Sequence, residues 1–439
     1  SLFVYTKTME IFSPDVMNQV YYYGSLVGVT LAAILGTWIL FKLAVLFHKI
    51  EKREDMSLDM VVLLVKMPKD NEIKIDAAEQ FFNTLSALKK SYDYLPGLFS
   101  IFDLETTIGF EIVAKHGEIL FYVHVPNKYK DLLEKQIYAN YQTAEIALVD
   151  EPNVFTEKGH VAYGALVQKD SAYYPMRTYK DLPNDSIAAI TSALSKMGDD
   201  EGAMVQILVR PVVDKWKKIG KSYVSSTRKS ETNPEKATYK VDQKVLDKID
   251  EKCSRPGFEV VIRFVVNSTS KELADMHLTN IKSAFSQFNG DLNQLGKTYI
   301  MFQPGFMFNF IYRCFPLIDF WRWHSVSILS SDELASIFHF PNKAVETPNI
   351  EFLKAKRAQA PANMPSDGIF IGYSKYRGVR VPVFIGENDR RRHVYIIGKT
   401  GVGKTQLLVS MLAQDIRKGN GLCFIDPHGD AAEALLEYI

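Results

Sequence analysis

The sequence predicts an α/β chain with a transmembrane helix near its N-terminus, two tandem βαββαβ-like units and the beginning of a third α/β domain at its C-terminal end. Three observations predict this organisation. Residues 24–41 carry no charge, residues 58–303 alternate strand-like and helix-like segments, and residues 368–439 contain a glycine-rich strand–loop–helix pattern. A chain of 439 residues is long enough for about two to four domains.

The N-terminal apolar run, residues 24–47, is long enough to cross a bilayer. Eighteen residues without a charge reach Phe41, and the apolar character resumes after Lys42, which gives the roughly 20 residues that a spanning helix needs. Residues 1–23 contain one Lys or Arg, whereas residues 42–53 contain four. The positive-inside rule therefore places residues 1–23 outside the cell and the chain from residue 48 onward in the cytosol, as a single-pass protein. A signal peptide and a buried core helix are the alternatives.

The first soluble segment, residues 58–150, has the order of one βαββαβ unit, and residues 151–303 repeat that order. In the first unit the strands are predicted at 61–67, 106–115, 118–125 and 144–149, and the helices at 76–90 and 128–141. In the second unit the strands are predicted at 160–169, 202–212, 258–268 and 297–303, and the helices at 184–197 and 270–288. Asp185 and Ser270 are the predicted caps of these last two helices. The alternative is an α/β domain without internal duplication.

The composition excludes several classes of protein. Lys and Arg number 52 and Asp and Glu 51, so a net charge of +1 excludes an acidic disordered tail and a uniformly basic nucleic-acid coat. Any nucleic-acid contact must therefore come from a local patch. The three cysteines, Cys253, Cys314 and Cys423, are too few and too widely spaced for a disulfide framework or a CxxC metal site. We expect buried free thiols in a reducing compartment.

One local basic patch lies in an insertion into the second unit, at residues 213–256. The insertion carries 12 Lys and Arg against 7 Asp and Glu. Five of its lysines recur every four residues and would form a slowly turning stripe on a helix: Lys236, Lys240, Lys244, Lys248 and Lys252. The stripe is either a contact for nucleic acid or anionic lipid, or the solvated face of a hairpin extension.

Two connecting segments follow the second unit. Residues 304–340 form an aromatic segment and connector, in which charged residues and prolines argue against a second membrane span. We expect this segment to pack between domains, with a position in the membrane interface as the alternative. Residues 341–367 contain four prolines and predict an extended linker. A new domain is expected to begin at residue 368.

The motif that carries most chemical information lies at residues 398–405, which match the phosphate-binding loop GxxxxGK[ST] (the Walker A motif) in every position. We expect a strand at 393–397 before the loop and a helix after it. The glycines let backbone N–H groups surround a phosphate, Lys404 is expected to contact the β- and γ-phosphates, and Thr405 to ligate Mg²⁺. The predicted site for ATP and Mg²⁺ comprises Gly398, Lys399, Thr400, Gly401, Val402, Gly403, Lys404, Thr405 and Gln406, with Lys404 and Thr405 as the catalytic residues.

An acidic residue follows the predicted helix. A buried strand at 422–425 would place Asp426 at the sheet edge that carries the phosphate-binding loop, where it is a candidate to hold a metal-bound water. The alternative is a turn, after which Asp430 caps the next helix and Glu433 completes a capping box. His428 fits a turn or a functional role equally well. Because no second carboxylate motif, sensor or arginine finger precedes Ile439, we expect these residues to belong to a larger protein and to be inactive in hydrolysis alone.

The stretch RRRHVYIIGKTGVGKTQLLVSMLAQDIRKGNGLCFIDPHGD, residues 390–430, resembles the ATPase core of conjugative and type IV secretion DNA-transfer proteins in the HerA–FtsK superfamily. Residues 327–350 also resemble the stretch that precedes this core in bacterial proteins of this kind. The N-terminal anchor is similar in architecture to that of coupling proteins. The resemblance implies a RecA-like P-loop domain and a homo-oligomeric, hexameric ring in the inner (cytoplasmic) membrane. Such a motor uses ATP to transfer DNA or a DNA–protein substrate, with secretion-channel proteins as partners.

Two other functions remain open at this stage. One is a secretion-assembly ATPase that energises a channel or pilus without moving DNA. The other is a nucleotide-gated membrane scaffold whose α/β units bind a protein partner. DNA transport predicts a salt-sensitive affinity for DNA, whereas assembly predicts partner contacts through the α/β units.

Overall fold

The computed structural model describes residues 14–88, 106–231, 242–300, 302–316, 325–353, 359–361, 363–376 and 379–438. The chain divides into two compact units, Ser1–Leu353 and Lys354–Ile439. The predicted mixed α/β class is confirmed, with antiparallel sheets. Lys236 and Lys240 of the predicted basic stripe lie outside the described residues, and so does part of the aromatic segment, residues 317–324.

The first unit begins with one long helix, α1, Pro14–Leu58. From Met17 to Leu58 this helix is long and apolar enough to cross a membrane. Most side chains along the apolar run are exposed, and Leu31 is 61% exposed. A helix buried in the core of a soluble unit would hide these side chains, so that alternative is excluded. A helix of this kind is a membrane span or a signal sequence.

An antiparallel sheet forms the centre of the first unit. The elements of its first half are β1 Met60–Lys66, α2 Asp76–Leu85, β2 Ile108–Lys115, β3 Glu118–Pro126, α3 Lys130–Asn140 and β4 Glu145–Val149. The four strands are ordered β4-β1-β3-β2. Strands β1 and β3 pair from Met60↔Pro126 to Val65↔Phe121, so that successive side chains alternate between the two faces.

The second half contributes four further strands to the sheet. Its elements are β5 His160–Gln168, α4 Ala188–Leu194, β6 Gly202–Pro211, α5 Lys215–Glu231, α6 Gln243–Ser254, β7 Gly257–Ser268, α7 Lys271–Ala284 and β8 Leu295–Lys297. The strands are ordered β6-β7-β5-β8, and β2 pairs with β6 to join the halves into one sheet. The basic insertion is the pair of helices α5 and α6 between β6 and β7.

Several predicted boundaries differ from the structure. The strand predicted at 297–303 is wrong: the last strand is the short β8, which ends at Lys297. Helix α8, Gln303–Ile311, follows it, with Pro304 in its first turn, where proline is favoured. The Ser270 hydroxyl caps α7 by accepting from the N–H of Leu273, as predicted. Asp185 precedes the N-cap residue of α4, Ile187, and its carboxylate accepts from the N–H of Ile187 at 3.1 Å. The same carboxylate lies 2.9 Å from His339 Nε2.

Residues 341–353 belong to the first unit rather than to an extended linker. They follow β9, Ser327–Ser330, which pairs with β7, and α9, Ser331–Ile337, which is buried throughout. Val345 and Ile350 are buried, and Ile350 and Leu353 form β-bridges with Ile119 and Pro68. The prolines of residues 341–353 therefore lie in a segment that packs against the first unit. Composition alone does not distinguish this from a solvated linker.

The two faces of the sheet have separate cores. On one face, α2, α3, α4, α7 and α9 bury an aromatic cluster in which the Phe110 and Phe338 ring centroids are 4.9 Å apart. On the other face, Phe306 and Phe310 of α8 pack on side chains of the sheet such as Val265. Arg53 of α1 donates to Asn309 Oδ1 and stacks on Phe308. The described part of the predicted aromatic segment is thus packed against the sheet of its own unit.

The face covered by α8 contains a buried ionic network. Glu111 is fully buried and accepts two hydrogen bonds from Arg313, at 2.9 and 3.3 Å, and one from Gln206 at 2.9 Å. His124 Nε2 lies 2.7 Å from Glu111 Oε2. Burial by itself raises the pKa of Glu111, but the interactions with His124 and Arg313 outweigh it and hold the pKa well below its usual range. The network anchors the chain after α8 to the middle of the sheet.

Candidate functional site

The predicted phosphate-binding loop lies in the second unit, before a long helix. This unit contains β10 Ile369–Tyr376, β11 Val379–Ile385, α10 Glu387–Arg390, α11 Lys404–Arg417 and α12 Asp430–Leu436. Strands β10 and β11 form an antiparallel hairpin. The helix predicted after the loop is present as α11, whose apolar residues Val409 and Ala413 pack on α12.

The glycines of the loop have the backbone geometry that a phosphate cradle needs. Gly401 and Gly403 have φ angles of 82° and 91°, in the left-handed region that residues with a Cβ rarely adopt. Gly403 is the N-cap of α11, so the loop passes directly into the positive end of the helix dipole. A Cβ on Gly398 would lie 2.7 Å from the Val402 side chain, so a larger residue here would displace Val402.

The polar side chains of the loop are available to a ligand. The Lys404 ammonium donates a 2.8 Å hydrogen bond to the carbonyl oxygen of Lys399 and so lies across its own loop. Thr405 and Gln406 occupy the first turn of α11 and are exposed, as are Lys399, Thr400 and Val402. Together with the helix N-terminus, this arrangement fits the β- and γ-phosphates of a nucleotide and a divalent ion at the hydroxyl.

Two contacts that hold α11 in place were not predicted from the sequence. The Gln414 side-chain amide donates to the carbonyl of Phe370 at 2.8 Å and accepts from its N–H at 2.9 Å, which ties α11 to β10. Asp415 accepts two hydrogen bonds from Arg390, at 2.8 and 2.6 Å. These bonds to Arg390, which exceed the opposing effect of burial, lower the pKa of Asp415. Both contacts join residues 25 or 44 positions apart, and no short motif signals them.

The Asp426 carboxylate is held by the backbone of the turn that follows it. Its carboxylate accepts hydrogen bonds from the N–H groups of His428, Ala431 and Ala432, at 3.2, 2.9 and 3.3 Å. These bonds, first of all that from His428, lower its pKa, so the carboxylate is ionised at neutral pH. The Asp426 carboxylate therefore satisfies two N–H groups in the first turn of α12, although it is not the N-cap residue. The predicted capping box of Asp430 and Glu433 is wrong, because Gly429 is the N-cap residue and makes no side-chain cap.

The strands predicted at 393–397 and 422–425 are absent from the described structure, although both segments lie within residues 379–438. A strand exists only where its backbone pairs with a neighbour. Neither segment has such a partner here, and their apolar side chains are exposed: Tyr395 at 87%, Ile397 at 81% and Ile425 at 85%. The two predicted strands are therefore wrong for the described structure.

Two family models together match most of the chain. Residues 49–352 match the family model described as domain of unknown function DUF8128, which covers more than half of the sequence. The chain belongs to the DUF8128 family. Residues 369–435 match the model of the helicase HerA central domain, which supports the resemblance to P-loop ATPases of the HerA–FtsK superfamily. In a comparison with curated proteins, nothing matches the chain.

The HerA match contains the phosphate-binding loop, α11 and Asp426. ATP hydrolysis is the activity of that family, so nucleotide binding, with a divalent metal, is the chemistry that this unit supports. Among the described residues, no group of His, Cys, Asp or Glu side chains is arranged to hold a metal ion alone.

The predicted basic stripe is broken within the DUF8128 domain. Lys252 is 2% exposed, its ammonium lies 2.9 Å from Glu333 Oε2, and it donates to the carbonyl of Tyr174. It cannot reach a nucleic acid. Lys244 and Lys248 border a cavity of about 810 Å³ that is also lined by acidic side chains, including Asp181, Asp242, Glu251 and Asp291. The periodicity correctly placed these lysines on a helix, α6, but not on a uniformly basic surface.

The cysteines are free, as predicted, in the part of the chain that the structure describes. Cys253 and Cys314 are buried, and burial raises the pKa of both thiols. Cys423 is exposed, so the expectation that every thiol is buried is wrong.

Proposed function

We propose that this DUF8128 protein is a membrane-anchored motor that couples ATP hydrolysis to the transfer of DNA or a DNA–protein substrate across the membrane, as in type IV secretion and conjugation. The observation that carries the proposal is the match of residues 369–435 to the HerA central domain, together with the left-handed glycines and the helix N-terminus of its phosphate-binding loop. The proposed working form is a homo-oligomer, a hexameric ring, with secretion-channel proteins as partners.

In the proposed site, the backbone N–H groups of residues 398–403 surround the β-phosphate and Lys404 neutralises charge on the β- and γ-phosphates. Thr405 ligates Mg²⁺ through its hydroxyl. Asp426 remains a candidate to hold a metal-bound water, because its ionised carboxylate retains lone pairs beyond those used by the three N–H groups. ATP and Mg²⁺ are thus the proposed cofactors.

The proposed architecture places two tandem βαββαβ units between a membrane anchor and the start of a RecA-like domain. The matching strand orders, β4-β1-β3-β2 and β8-β5-β7-β6, support a duplicated unit, and so does the element order apart from the inserted helices α5 and α6. In this proposal the DUF8128 domain sits close to the membrane, because α1 is continuous with it and contacts α8 through Arg53. The inner (cytoplasmic) membrane is the proposed location.

Orientation of α1 is tested by cysteine accessibility. In a Cys423→Ser background, which removes the exposed native thiol, single cysteines are introduced in place of Asn18 and Glu54, both exposed on α1. We expect Asn18→Cys to react with an impermeant maleimide in intact cells and Glu54→Cys to react only after permeabilisation, since the basic residues follow the span. The reverse labelling would contradict a cytosolic position for residues 48 onward. Labelling of neither in membranes would indicate a cleaved signal sequence.

DNA binding separates the proposed motor from an assembly ATPase. The full-length protein in detergent or nanodiscs is titrated with duplex DNA at several salt concentrations. We expect log affinity to fall linearly with log salt, because Lys and Arg release counterions from the phosphates. A protein without measurable affinity for DNA at low salt would contradict DNA transfer and favour the assembly ATPase or the scaffold.

A further inference from the structure

Helix α5 is the most uniformly basic element of the DUF8128 domain. Its sequence carries six cations and a single acid at its last residue, Glu231: Lys215, Lys217, Lys218, Lys221, Arg228 and Lys229. Helix α6 beside it alternates its lysines with Asp247, Asp250 and Glu251. The two helices of the insertion therefore differ in their electrostatic character, and the basic surface belongs to α5.

The inner side of α5 is fixed by packing. Trp216 and Val224 are buried against Leu246, Ile249 and Cys253 of α6. Tyr223 stacks on Tyr173 with ring centroids 5.1 Å apart. A Cβ on Gly220 would lie 2.5 Å from the Cys253 sulfur, so this glycine allows the two helices to approach closely. Helix α5 is thus held rigidly on one side and leaves a defined outer side to solvent.

That outer side presents Lys215, Lys218 and Lys221, which are all exposed. The three lysines are spaced by one helical turn or less and cover about 9 Å of the helix axis. The nearest acid in sequence, Asp214, already lies 3.4 Å from the ammonium of Lys217. Arg228, farther along, is paired with Asp247 and Asp250. The N-terminal half of α5 is therefore a compact cationic surface.

We propose that this surface, defined by Lys215, Lys218 and Lys221, binds the phosphate backbone of the transferred DNA. A duplex carries about one negative charge per 1.7 Å of its axis, so a rigid row of cations of this length meets several phosphates. Phosphate contacts of this kind hold DNA without reading its sequence, as a general transfer machine requires. The inference rests on the proposed function and adds the location of the DNA contact within the DUF8128 domain.

A membrane surface fits this side of α5 less well than DNA does. A helix that lies in the bilayer interface has cations on one face and a free apolar face of Trp, Phe and Leu on the other. In α5 the large apolar side chains are used in packing against α6 and the adjoining tyrosines. Among the described large apolar side chains of α5, only Ile219 is highly exposed, at 52%. The occupant we assign is therefore a polyanion in solution.

The test uses the full-length protein in nanodiscs of neutral lipid and a duplex of mixed sequence. The triple variant Lys215→Gln, Lys218→Gln, Lys221→Gln is compared with wild type and with a matched control that removes three exposed lysines elsewhere in the domain, Lys69→Gln, Lys135→Gln, Lys196→Gln. We expect the triple variant to reduce the slope of log affinity against log salt by about 2.7, at about 0.9 per lost contact. The control should change it by far less, and three Lys→Arg changes at the α5 positions should restore it.

The outcomes separate the two proposals. If wild type binds DNA and the α5 triple variant shows the same salt slope, the assignment of the contact to α5 is overturned. The proposal of a DNA motor is then unaffected. Absence of DNA binding by wild type would overturn both. If the triple variant loses binding to vesicles with anionic lipid but keeps the wild-type DNA slope, α5 contacts a membrane instead. That result would overturn the inference.

Discussion

Replacing Lys404 by alanine is expected to reduce ATP turnover of the full-length protein by about two orders of magnitude or more. The reason is that Lys404 is the lysine of the motif expected to neutralise the charge that develops on the β- and γ-phosphates. Lys404 makes a single described hydrogen bond, to the carbonyl of Lys399. The folded state should therefore lose only about 1 kcal/mol.

Steady-state ATP hydrolysis and thermal unfolding are measured on the same preparations. Lys375→Ala, an exposed lysine of strand β10 outside the loop, is the matched control and should retain wild-type turnover. A Lys404→Ala protein with near-normal turnover would falsify the assignment of the nucleotide site.

The second large effect is expected in the DUF8128 domain. Replacing Glu111 by glutamine should lower the free energy of unfolding by about 3–5 kcal/mol, the usual cost of removing one partner of a buried ion pair. The substitution leaves Arg313, which is 6% exposed, without its carboxylate partner at that position. Glu118→Gln, the same change at an exposed position of β3, is the control. Chemical denaturation with a loss below about 1 kcal/mol for Glu111→Gln would contradict the role of the network.

The same network gives the domain a pH dependence with a defined sign. The pKa of Glu111 is lowered in the folded state from an ordinary value of 4.5. Its contribution to stability is therefore complete above the unfolded pKa and is lost progressively as the pH falls below about 4.5. Glu111→Gln should remove this part of the acid dependence. An acid-unfolding profile that is identical in the variant and wild type would contradict the assignment.

The part of the candidate site that the sequence predicted is the part that local geometry determines. Gly401 and Gly403 have positive φ angles, and Lys404 begins α11 directly after them, so neighbouring residues in the motif determine this geometry. The N–H groups in the first turn of α12 bond to Asp426 rather than to the predicted Asp430. The choice between Asp426 and Asp430 depends on how the intervening turn folds back, and a sequence pattern does not report this.

Burial and pairing were not predictable from short patterns. The spacing of Lys244, Lys248 and Lys252 indicated a helix, but the burial of Lys252 depends on Glu333, which reaches it through tertiary packing. Similarly, the Glu111–Arg313 pair joins residues 202 positions apart. Apolar runs correctly predicted most strands of the sheet, because each of these segments has a neighbouring strand with which to pair. They failed at 393–397 and 422–425, where the described structure provides no neighbour.

The most direct test of the central claim is the rate of ATP hydrolysis by the full-length protein in nanodiscs, with and without duplex DNA. The account predicts turnover that rises when DNA is added, because a motor hydrolyses ATP as it moves its substrate, and that is abolished in both conditions by Lys404→Ala. Turnover that depends on Lys404 but is identical with and without DNA would contradict a DNA motor and indicate an ATPase that serves another process.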